Sequence, residues 1–210
     1  MIKIDNTQVY SWKMAIFGMR NAYSSWEKSD SYFDITGELI EVGKNDLDLM
    51  IRLSKAGNDH GKYLRMINIV CNITAPLYWW KQMDTFKIAT VSNSTSTMHN
   101  IHSKIFEVND FSHEHLSKRN IVLLNEIIQR LNDERLYYLD TKDKEDWWQM
   151  IQMLPNSYNQ MRTWQANYQV LKHIYHSRKN HKLDEWKEFC NWIETLPYAK
   201  ELICLKGDEQ

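Results

Sequence analysis

The chain has 210 residues, of which 43% are hydrophobic and 25% are charged, so it is long enough to bury a core and is not of the disordered class. Its net charge is −1 and no apolar run reaches the length of a signal peptide or a membrane-spanning helix, so neither nucleic acid nor a membrane is an expected partner. The 3 cysteines (Cys71, Cys190 and Cys204) are far apart, which argues against a disulfide framework or a paired-thiol zinc site and favours a reducing cytoplasm.

The first part of the chain is predicted to contain a strand, a helix and a loop. Residues 1–10 alternate enough in polarity for a short edge strand. Ser11 is a suitable N-cap for the helix predicted over residues 11–25, because its hydroxyl oxygen can accept a backbone hydrogen bond. Residues 27–44 are mostly polar, and we expect them to form a loop with a turn at Gly37.

A helix, a strand and a second helix are predicted next. The spacing of apolar residues over 45–57 predicts a helix with Asn45 as its cap. Residues 62–74 alternate between apolar and mixed side chains, which predicts a strand with one apolar face. Thr74 is expected to cap the following helix, which is expected to end near residues 85–87.

The second half of the chain is predicted to be largely helical. Residues 120–139 and 182–196 are amphipathic, and residues 147–153 form a shorter helical segment. Residues 157–178 carry the strongest helical pattern in the chain. Its apolar stripe consists of Met161, Trp164, Tyr168, Leu171 and Tyr175. The order of helix, strand and then many helices predicts an α+β fold.

The domain organisation is expected to be simple. We expect one domain over residues 1–210, with a helical insertion at approximately 112–150. No internal repeat or low-complexity tract interrupts it. A composition rich in Lys, Asn, Ile and Met is compatible with a phage or a low-GC bacterium.

One polar run follows two tryptophans. The run Ser92–Thr97 consists of hydroxyl and amide side chains, which suit a phosphate group but equally suit a solvated loop, and both interpretations stay open. Trp79 and Trp80 lie on a predicted amphipathic helix, so we expect them in the core rather than as a platform for a flat ring. No cysteine or carboxylate completes a metal-binding pattern with the spaced histidines, so no metal is expected.

Five segments resemble, in their order along the chain, motifs of the flavin-dependent thymidylate synthases, the ThyX family. AYSSW (22–26) is similar to A-R-x-S-Y, and LSKAGNDHGKYLRMINIVCNITAP (53–76) resembles the G-H-x-x-P-F-E-H stretch. APLYWWKQMDTFKIATVSNSTSTMH (75–99) falls where the family has R-H-R-x-x-S-x-N-x-x-S-x-R-Y. MLPNSYNQMRTWQANYQVLKHIYHSR (153–178) resembles the L-P segment and the N-x-R-S-L-x-H-F-x-x-x-R helix, and LKGD (205–208) resembles a family ending.

The resemblance implies a fold, a cofactor and a partner. The implied fold is the helix-rich ThyX fold with a central antiparallel sheet. The implied cofactor is FAD, and the implied ligand is a uridine-type nucleotide whose base receives a one-carbon unit. Family members are homotetramers, so a homo-oligomer is expected. The flavin would carry the hydride chemistry while the protein orients the reactants.

The sequence departs from the family pattern chiefly on the flavin side. The Arg-His-Arg triplet is replaced by Thr85–Lys87, of which only Lys87 is charged, and Lys does not reproduce the planar fork of Arg. Met66 stands where the second His of G-H-x-x-P-F-E-H is expected, and Gln169 replaces the Arg of N-x-R. These losses count against ordinary flavin use.

The polar run matches the signature motif in two alternative registers. With one inserted residue, Asn93 and Ser96 match its Asn and Ser. Without the insertion, Ser92 and Thr95 do.

The resemblance also implies the site residues. Arg178 is the candidate catalytic residue, since its counterpart polarises the pyrimidine. From the residues alone, Arg178 fits a C-terminal helix cap equally well. The implied nucleotide-binding residues are Gln82, Lys87, Asn93, Ser94, Ser96 and Arg178. The implied cofactor-binding residues are His60, Lys87, Asn167 and His173.

Two functions stay open at this point. One is a divergent thymidylate synthase-like enzyme that methylates or otherwise modifies a pyrimidine. The other is a non-catalytic nucleotide-binding or protein-interaction protein on the same scaffold. The sequence does not decide whether the chain turns over a substrate.

Overall fold

Six strands are present in the residues that the structure, a computed structural model, describes, which are residues 1–205. Four of them form one sheet in the order β1, β4, β6, β5, so that β1 and β5 are its edges. β2 and β3 form a separate antiparallel pair. The strands are β1 (Lys3–Tyr10), β2 (Tyr32–Phe33), β3 (Leu39–Glu41), β4 (Asn68–Pro76), β5 (Val91–Ser94) and β6 (Asn159–Asn167).

Helices make up most of the rest. The helices are α1 (Trp12–Met19), α2 (Lys44–Lys55), α3 (Leu77–Met83), α4 (Thr97–Asn100), α5 (Lys118–Thr141), α6 (Lys144–Met153), α7 (Tyr168–Arg178), α8 (Asp184–Glu194) and α9 (Ala199–Leu202). The fold is therefore α+β, as predicted. Among residues 1–205, no helix combines the length and the apolar character needed to cross a bilayer. Apart from its first residue, the LKGD segment lies outside the described residues.

β4 follows from its sequence pattern. Ile69, Cys71, Ile73 and Ala75 are completely buried, and the residues between them are only partly buried. This alternation confirms the predicted strand with one apolar face. The strand begins later than predicted, because Gly61–Arg65 form a 3₁₀ helix before it.

The prediction of one helix over residues 157–178 is wrong in its first half, which forms β6. Met161, Trp164 and Tyr168 are spaced as on a helix, but Gln160, Trp164 and Ala166 are buried at even spacing, as on a strand. The sequence of this segment is compatible with both the helical and the strand period. Its pairing with the neighbouring strands β4 and β5 makes it a strand.

α2 begins one residue earlier than predicted and uses a different cap. Asn45 lies inside the helix. Gly43 occupies the N-cap position and has no side chain that could accept a hydrogen bond. The cap comes from Asp30, whose carboxylate oxygens accept hydrogen bonds from the backbone N–H groups of Asn45 (2.9 Å) and Asp46 (3.1 Å). A cap supplied from a distant residue leaves no local sequence signal.

Several predicted boundaries are also wrong. Thr74 lies within β4, and Pro76 stands at the N-cap of α3, which ends at Met83 rather than at residues 85–87. Ser11 does precede α1, but its φ of 71° is left-handed and its side chain caps nothing. The predicted turn at Gly37, with a φ of 87°, is present and joins β2 to β3.

The chain divides into two compact units. The first unit comprises Met1–Lys3, Ile73–Thr85 and Asn93–Thr163, and the second comprises Ile4–Asn72, Phe86–Ser92 and Trp164 onward. The first unit has a hydrophobic cluster under α5 and α6, consisting of Ile101, Phe106, Phe111, Leu124, Ile128, Leu131 and Met150. The second unit buries large side chains that include Trp12, Ile16, Met50, Leu64, Tyr168, Trp186 and Phe189. The expectation of a single domain stays a prediction.

Candidate functional site

α7 carries most of the predicted site residues of the second unit. Asn167 is its N-cap, and the side-chain oxygen Oδ1 accepts a hydrogen bond from the backbone N–H of Val170 at 3.0 Å. Arg178 is its last residue. At 1.5 Å per residue, the eleven residues between them correspond to about 16 Å, so the two side chains serve opposite ends of the helix.

Arg178 packs against two neighbouring aromatic rings. Its guanidinium carbon lies 5.4 Å from the ring centroid of Phe86 and 5.1 Å from that of Trp186. Its Nε atom is buried and has no hydrogen-bond partner among the described residues. A buried donor without a partner is costly, so an acceptor that reached this nitrogen would relieve that cost.

Phe86 links Arg178 to the other predicted residues of this unit. Its ring also lies 5.7 Å from the His173 ring and 6.0 Å from the Trp186 ring. Lys87, the next residue, is exposed, and so is His173. The structure therefore brings Arg178 and His173 to the ring of the phenylalanine that replaces the family's histidine.

A large open cavity in the second unit joins the first two resembling segments. His60 lines this cavity together with Ala22, Tyr23 and Ser25, and its volume is about 1420 Å³. Since these residues come from segments about 35 positions apart, their convergence is a tertiary arrangement that neither segment shows alone. We call this space the His60 cavity.

The loop before His60 is fastened to the start of α7. The side-chain amide of Gln169 donates to the side-chain oxygen of Asn58 at 3.0 Å, and the backbone N–H of Tyr168 donates to the carbonyl of Ile67 at 3.0 Å. Three of the resembling segments thus meet in the second unit. Gln169, which replaces the family's arginine, is used here to hold the loop.

The walls of the His60 cavity carry both signs of charge. Its lining includes the basic side chains Lys28, Arg52 and Lys62, which can bind phosphate oxygens. Its lining also includes the acidic residues Glu27, Asp48 and Asp59. In their chemistry the residues present fit a dinucleotide, because the basic side chains can bind a diphosphate and the carboxylates can accept hydrogen bonds from sugar hydroxyls.

A buried ion pair stiffens one wall of the His60 cavity. Arg20 Nε lies 2.7 Å and Nη2 2.6 Å from Oδ1 of Asp46, and the exposed fraction is 4% for the Arg20 side chain and 0% for that of Asp46. The hydroxyls of Ser29 (2.7 Å) and Ser31 (2.6 Å) donate to Oδ2. Burial alone would raise the pKa of Asp46, but the hydrogen bonds from Ser31, Ser29 and Arg20 together lower it below its ordinary value of 3.8.

The polar run belongs to the first unit from Asn93 onward and is an ordered segment there. Asn93 and Ser94 end β5 and are exposed. Both the backbone N–H and the hydroxyl of Thr95 donate to the carbonyl of Met161, at 2.9 and 3.1 Å. Ser96 caps α4, because its Oγ accepts a hydrogen bond from the backbone N–H of His99 at 3.0 Å. Two of the six residues of the run, Thr95 and Ser96, therefore have a structural use.

α3 carries Gln82 and the two tryptophans of the first unit. Gln82 is half-buried, and its backbone carbonyl accepts a hydrogen bond from the hydroxyl of Thr85 at 2.7 Å. Trp79 and Trp80 are almost completely buried, as expected for core residues. The guanidinium carbon of Arg162 lies 4.2 Å from the Trp80 ring centroid, so the outer face of that ring is already covered.

Some functional neighbours left no signal in the sequence. In the sequence, Trp186 was visible only as a member of the apolar stripe of α8. Phe86 was visible only as the residue that replaces a histidine of the family motif. Nothing local connected Arg20 with Asp46, which are 26 residues apart. Among the described residues, no group of three His, Cys, Asp or Glu side chains is placed to hold a metal.

Comparison with known proteins gives matches among solved structures alone. No family model matches the chain, and no curated protein matches it. Two crystal structures of Thymidylate Synthase X (ThyX) from Helicobacter pylori, both with FAD and dUMP, match at TM-scores of 0.69 and 0.70, with 16% and 17% identity. They cover 97% of this chain, and 97% and 100% of their own.

A third solved structure has a related description. The UMP/dUMP methylase PolB from Streptomyces cacaoi, bound with 5-Br dUMP, matches at a TM-score of 0.67 with 12% identity, over 99% of this chain and 96% of its own. The chain has the ThyX fold. The likeness extends over almost the whole of each chain, so the predicted ThyX fold is confirmed.

Proposed function

We propose that this chain uses its ThyX fold to bind a uridine-type nucleotide and to methylate or otherwise modify the pyrimidine ring. The proposal rests on Arg178, whose guanidinium contacts the rings of Phe86 and Trp186 while its buried Nε has no partner among residues 1–205. Solved proteins of the same fold bind dUMP, and one is a UMP/dUMP methylase, which supports the same ligand class.

Arg178 would act on a carbonyl of the pyrimidine. Its planar guanidinium donates hydrogen bonds in fixed directions and keeps its charge at any physiological pH. A donor that is already oriented stabilises negative charge as it develops on the ring oxygen, without the cost of reorganising first. Contact with the two aromatic rings restricts the movement of the guanidinium, and this makes Arg178 suited to that role.

Flavin is the cofactor that the fold implies, and FAD is bound in the similar Helicobacter pylori structures. When bound, a flavin supplies hydride and electron transfer. We propose that the His60 cavity holds it, with Lys28, Arg52 or Lys62 on the diphosphate. His173 on α7, Asn167 at its N-cap and Lys87 between α3 and β5 do not line that cavity, and they are proposed as further contacts of the cofactor. The replacement of an arginine by Lys87 predicts weaker binding of the cofactor than two guanidinium groups would give.

The remaining proposed contacts belong to the first unit. Gln82, Asn93, Ser94 and Ser96 are proposed to hold the sugar or phosphate of the nucleotide. The exposure of Asn93 and Ser94 at the end of β5 supports this, since both side chains are accessible to a ligand. Ser96 already accepts the α4 cap bond, which leaves its hydroxyl proton free to be donated.

The experiment combines absorbance with thermal unfolding. The visible spectrum of the purified protein, with and without added FAD, measures flavin binding after gel filtration. The shift in melting temperature with UMP and dUMP then measures nucleotide binding. Arg178→Ala should abolish the nucleotide-dependent shift, whereas Lys179→Ala, which removes the neighbouring cation, should keep it.

Each outcome has a defined meaning. Flavin absorbance that comigrates with the protein, together with a shift that needs Arg178, supports the proposal. A colourless protein that retains no added FAD overturns the flavin part. A melting temperature that neither UMP nor dUMP changes at millimolar concentration overturns the nucleotide part.

A further inference from the structure

The first unit contains a polar cavity, and apart from Ser96 the proposed function gives its lining residues no role. Its volume is about 310 Å³, close to the lower end of small-molecule pockets. Hydroxyl and amide side chains dominate its lining, including Thr97, Asn100 and Ser103 from α4 and the turn after it. We call this space the Ser103 cavity.

Several polar groups of the Ser103 cavity are unused. The side chains of Thr97, Asn100 and Ser103 make no hydrogen bond within residues 1–205, whereas Thr95 and Ser96 on the same wall are already bonded. A hydroxyl can donate and accept, and an amide offers both functions from one group. These side chains could therefore pair with ligand hydroxyls, which also donate and accept.

The charges of the cavity cancel. Lys104 and Asp110 both line it, and they form an ion pair with each other. The hydrogen bond with Asp110 raises the pKa of Lys104, so the lysine stays protonated. An anion entering the cavity would meet the carboxylate of Asp110 as well as the ammonium group, which removes the attraction that a phosphate would need.

One wall offers apolar contact. Tyr158 lines the cavity with Ile101 and Met161, and its ring is fixed against Phe111, with the two ring centroids 5.6 Å apart. Burial raises the pKa of the Tyr158 phenol, which therefore remains a neutral hydroxyl. Unused hydroxyl and amide groups beside an aromatic ring complement a sugar, which presents hydroxyls at its edge and C–H groups on its faces.

We propose that the Ser103 cavity binds a neutral sugar ring of pentose or hexose size. The ring is either a free sugar or the sugar of a nucleoside, since both present the same hydroxyls. The proposal depends on Thr97, Asn100 and Ser103 and not on Arg178. Ser96 of the polar run also lines this cavity. If the bound sugar belongs to the proposed nucleotide, the polar run therefore recognises the sugar part of that ligand.

NMR of the ¹⁵N-labelled full chain provides a direct test. The indole N–H of Trp147 donates to the carbonyl of Met98 at 3.1 Å, next to Thr97, so its signal reports on this part of the chain. The protein is titrated separately with D-ribose, uridine, UMP and inorganic phosphate. Ribose and uridine should each move this signal in a saturable manner. Phosphate alone should leave it unchanged.

Two variants test the assigned hydrogen bonds. Thr97→Val keeps the side-chain shape and removes the hydroxyl, and Ser103→Ala does the same with little loss of volume. Each should weaken ribose binding about fivefold to tenfold, the value of one hydrogen bond. Ser92→Ala, which alters the polar run away from the cavity lining, should bind ribose like the unmodified chain.

A third variant tests the charge argument. Asp110→Asn can still accept the backbone hydrogen bond of Glu107 but no longer neutralises Lys104, so it should gain binding of inorganic phosphate. Saturable phosphate binding to the unmodified chain, or ribose affinity that is unchanged in both hydroxyl variants, would overturn the proposal. If Arg178→Ala still binds ribose, the sugar site of the Ser103 cavity stands even where the proposed nucleotide function fails.

Discussion

Arg178 and Trp186 lie within 5.1 Å, measured from the guanidinium carbon to the ring centroid, and this contact joins the end of α7 to α8. Trp186 is completely buried, so it cannot turn away from the arginine without opening the core. Phe86 contacts the same guanidinium at 5.4 Å. An arginine held in this way is oriented before any ligand arrives.

Phe86→Leu should weaken nucleotide binding more than it weakens the fold. The change keeps an apolar side chain but removes the ring that contacts Arg178, and a cation–π contact contributes about 0.5–2 kcal/mol. The nucleotide-dependent shift in melting temperature should fall, while Phe86→Tyr, which keeps the ring, should retain it. A shift that is equal in all three proteins would show that the contact does not position Arg178.

Asp46→Asn should destabilise the second unit strongly. Arg20 would keep its charge in a buried position without the opposite charge of Asp46, and breaking a buried pair in this way costs about 3–5 kcal/mol. Urea denaturation measures the loss. Asp48→Asn, an exposed carboxylate on the same helix, should change the unfolding free energy by less than about 0.5 kcal/mol.

The Asp46 contribution should also depend on pH in a defined direction. The folded-state pKa of Asp46 is lowered, so the carboxylate stabilises the folded chain fully above its ordinary value of 3.8. As the pH falls below 3.8, the unfolded chain takes up the proton first, and the stabilisation is lost as the folded pKa is passed. The difference in urea midpoint between the unmodified chain and Asp46→Asn should therefore shrink only below 3.8. A difference that already shrinks near neutral pH would contradict this assignment.

Gly43→Ala should be destabilising because the backbone of Asp30 leaves no room for a side chain. A Cβ atom at this position would lie 2.2 Å from the carbonyl oxygen of Asp30. Relief requires the Asp30 segment to move, which also strains the cap of α2, and we expect a loss of about 1–3 kcal/mol. Gly61→Ala is the matched control, since its new Cβ would meet its neighbours at 3.6 Å or more. Equal stability of the two variants would rule out the close contact as the cause.

The local pattern of the sequence predicted the secondary structure where a single period, that of a helix or of a strand, dominated. The alternation around Ile69 and Cys71 predicted β4, and the amphipathic spacing around Trp186 and Cys190 predicted α8. It failed over 159–167, where strand and helix periods both fit and the choice depends on the neighbouring strands. The boundary error at α2 has the same origin, because its cap comes from Asp30.

The sequence suggested candidate site residues but did not predict how they pack. Resemblance to a family selected Arg178 and His60, since motif order survives when identity is low. No local rule pairs Arg178 with Phe86, because the two residues are 92 positions apart and meet only through the fold. The same holds for the Ser103 cavity, which combines α4 with residues of β4 and β6.

Asn167 has a visible structural role that can be separated from its proposed cofactor role. Its side-chain oxygen caps α7 by accepting from Val170, and the side chain is 93% buried, with an exposed fraction of 7%. Asn167→Ala should lower the unfolding free energy by about 1 kcal/mol, whereas Asn167→Ser should retain most of the stability, since serine also caps. Chemical denaturation gives these values.

Flavin retention in the same variants then separates the two roles of Asn167. If the amide contacts the cofactor, Asn167→Ser should lose retained FAD although its stability is kept, because the shorter hydroxyl does not replace the amide group. If Asn167 serves the helix alone, FAD retention should follow stability and be kept in the serine variant. Loss of FAD that simply parallels the loss of stability would therefore remove Asn167 from the proposed cofactor contacts, while leaving its place at the N-terminus of α7 unchanged.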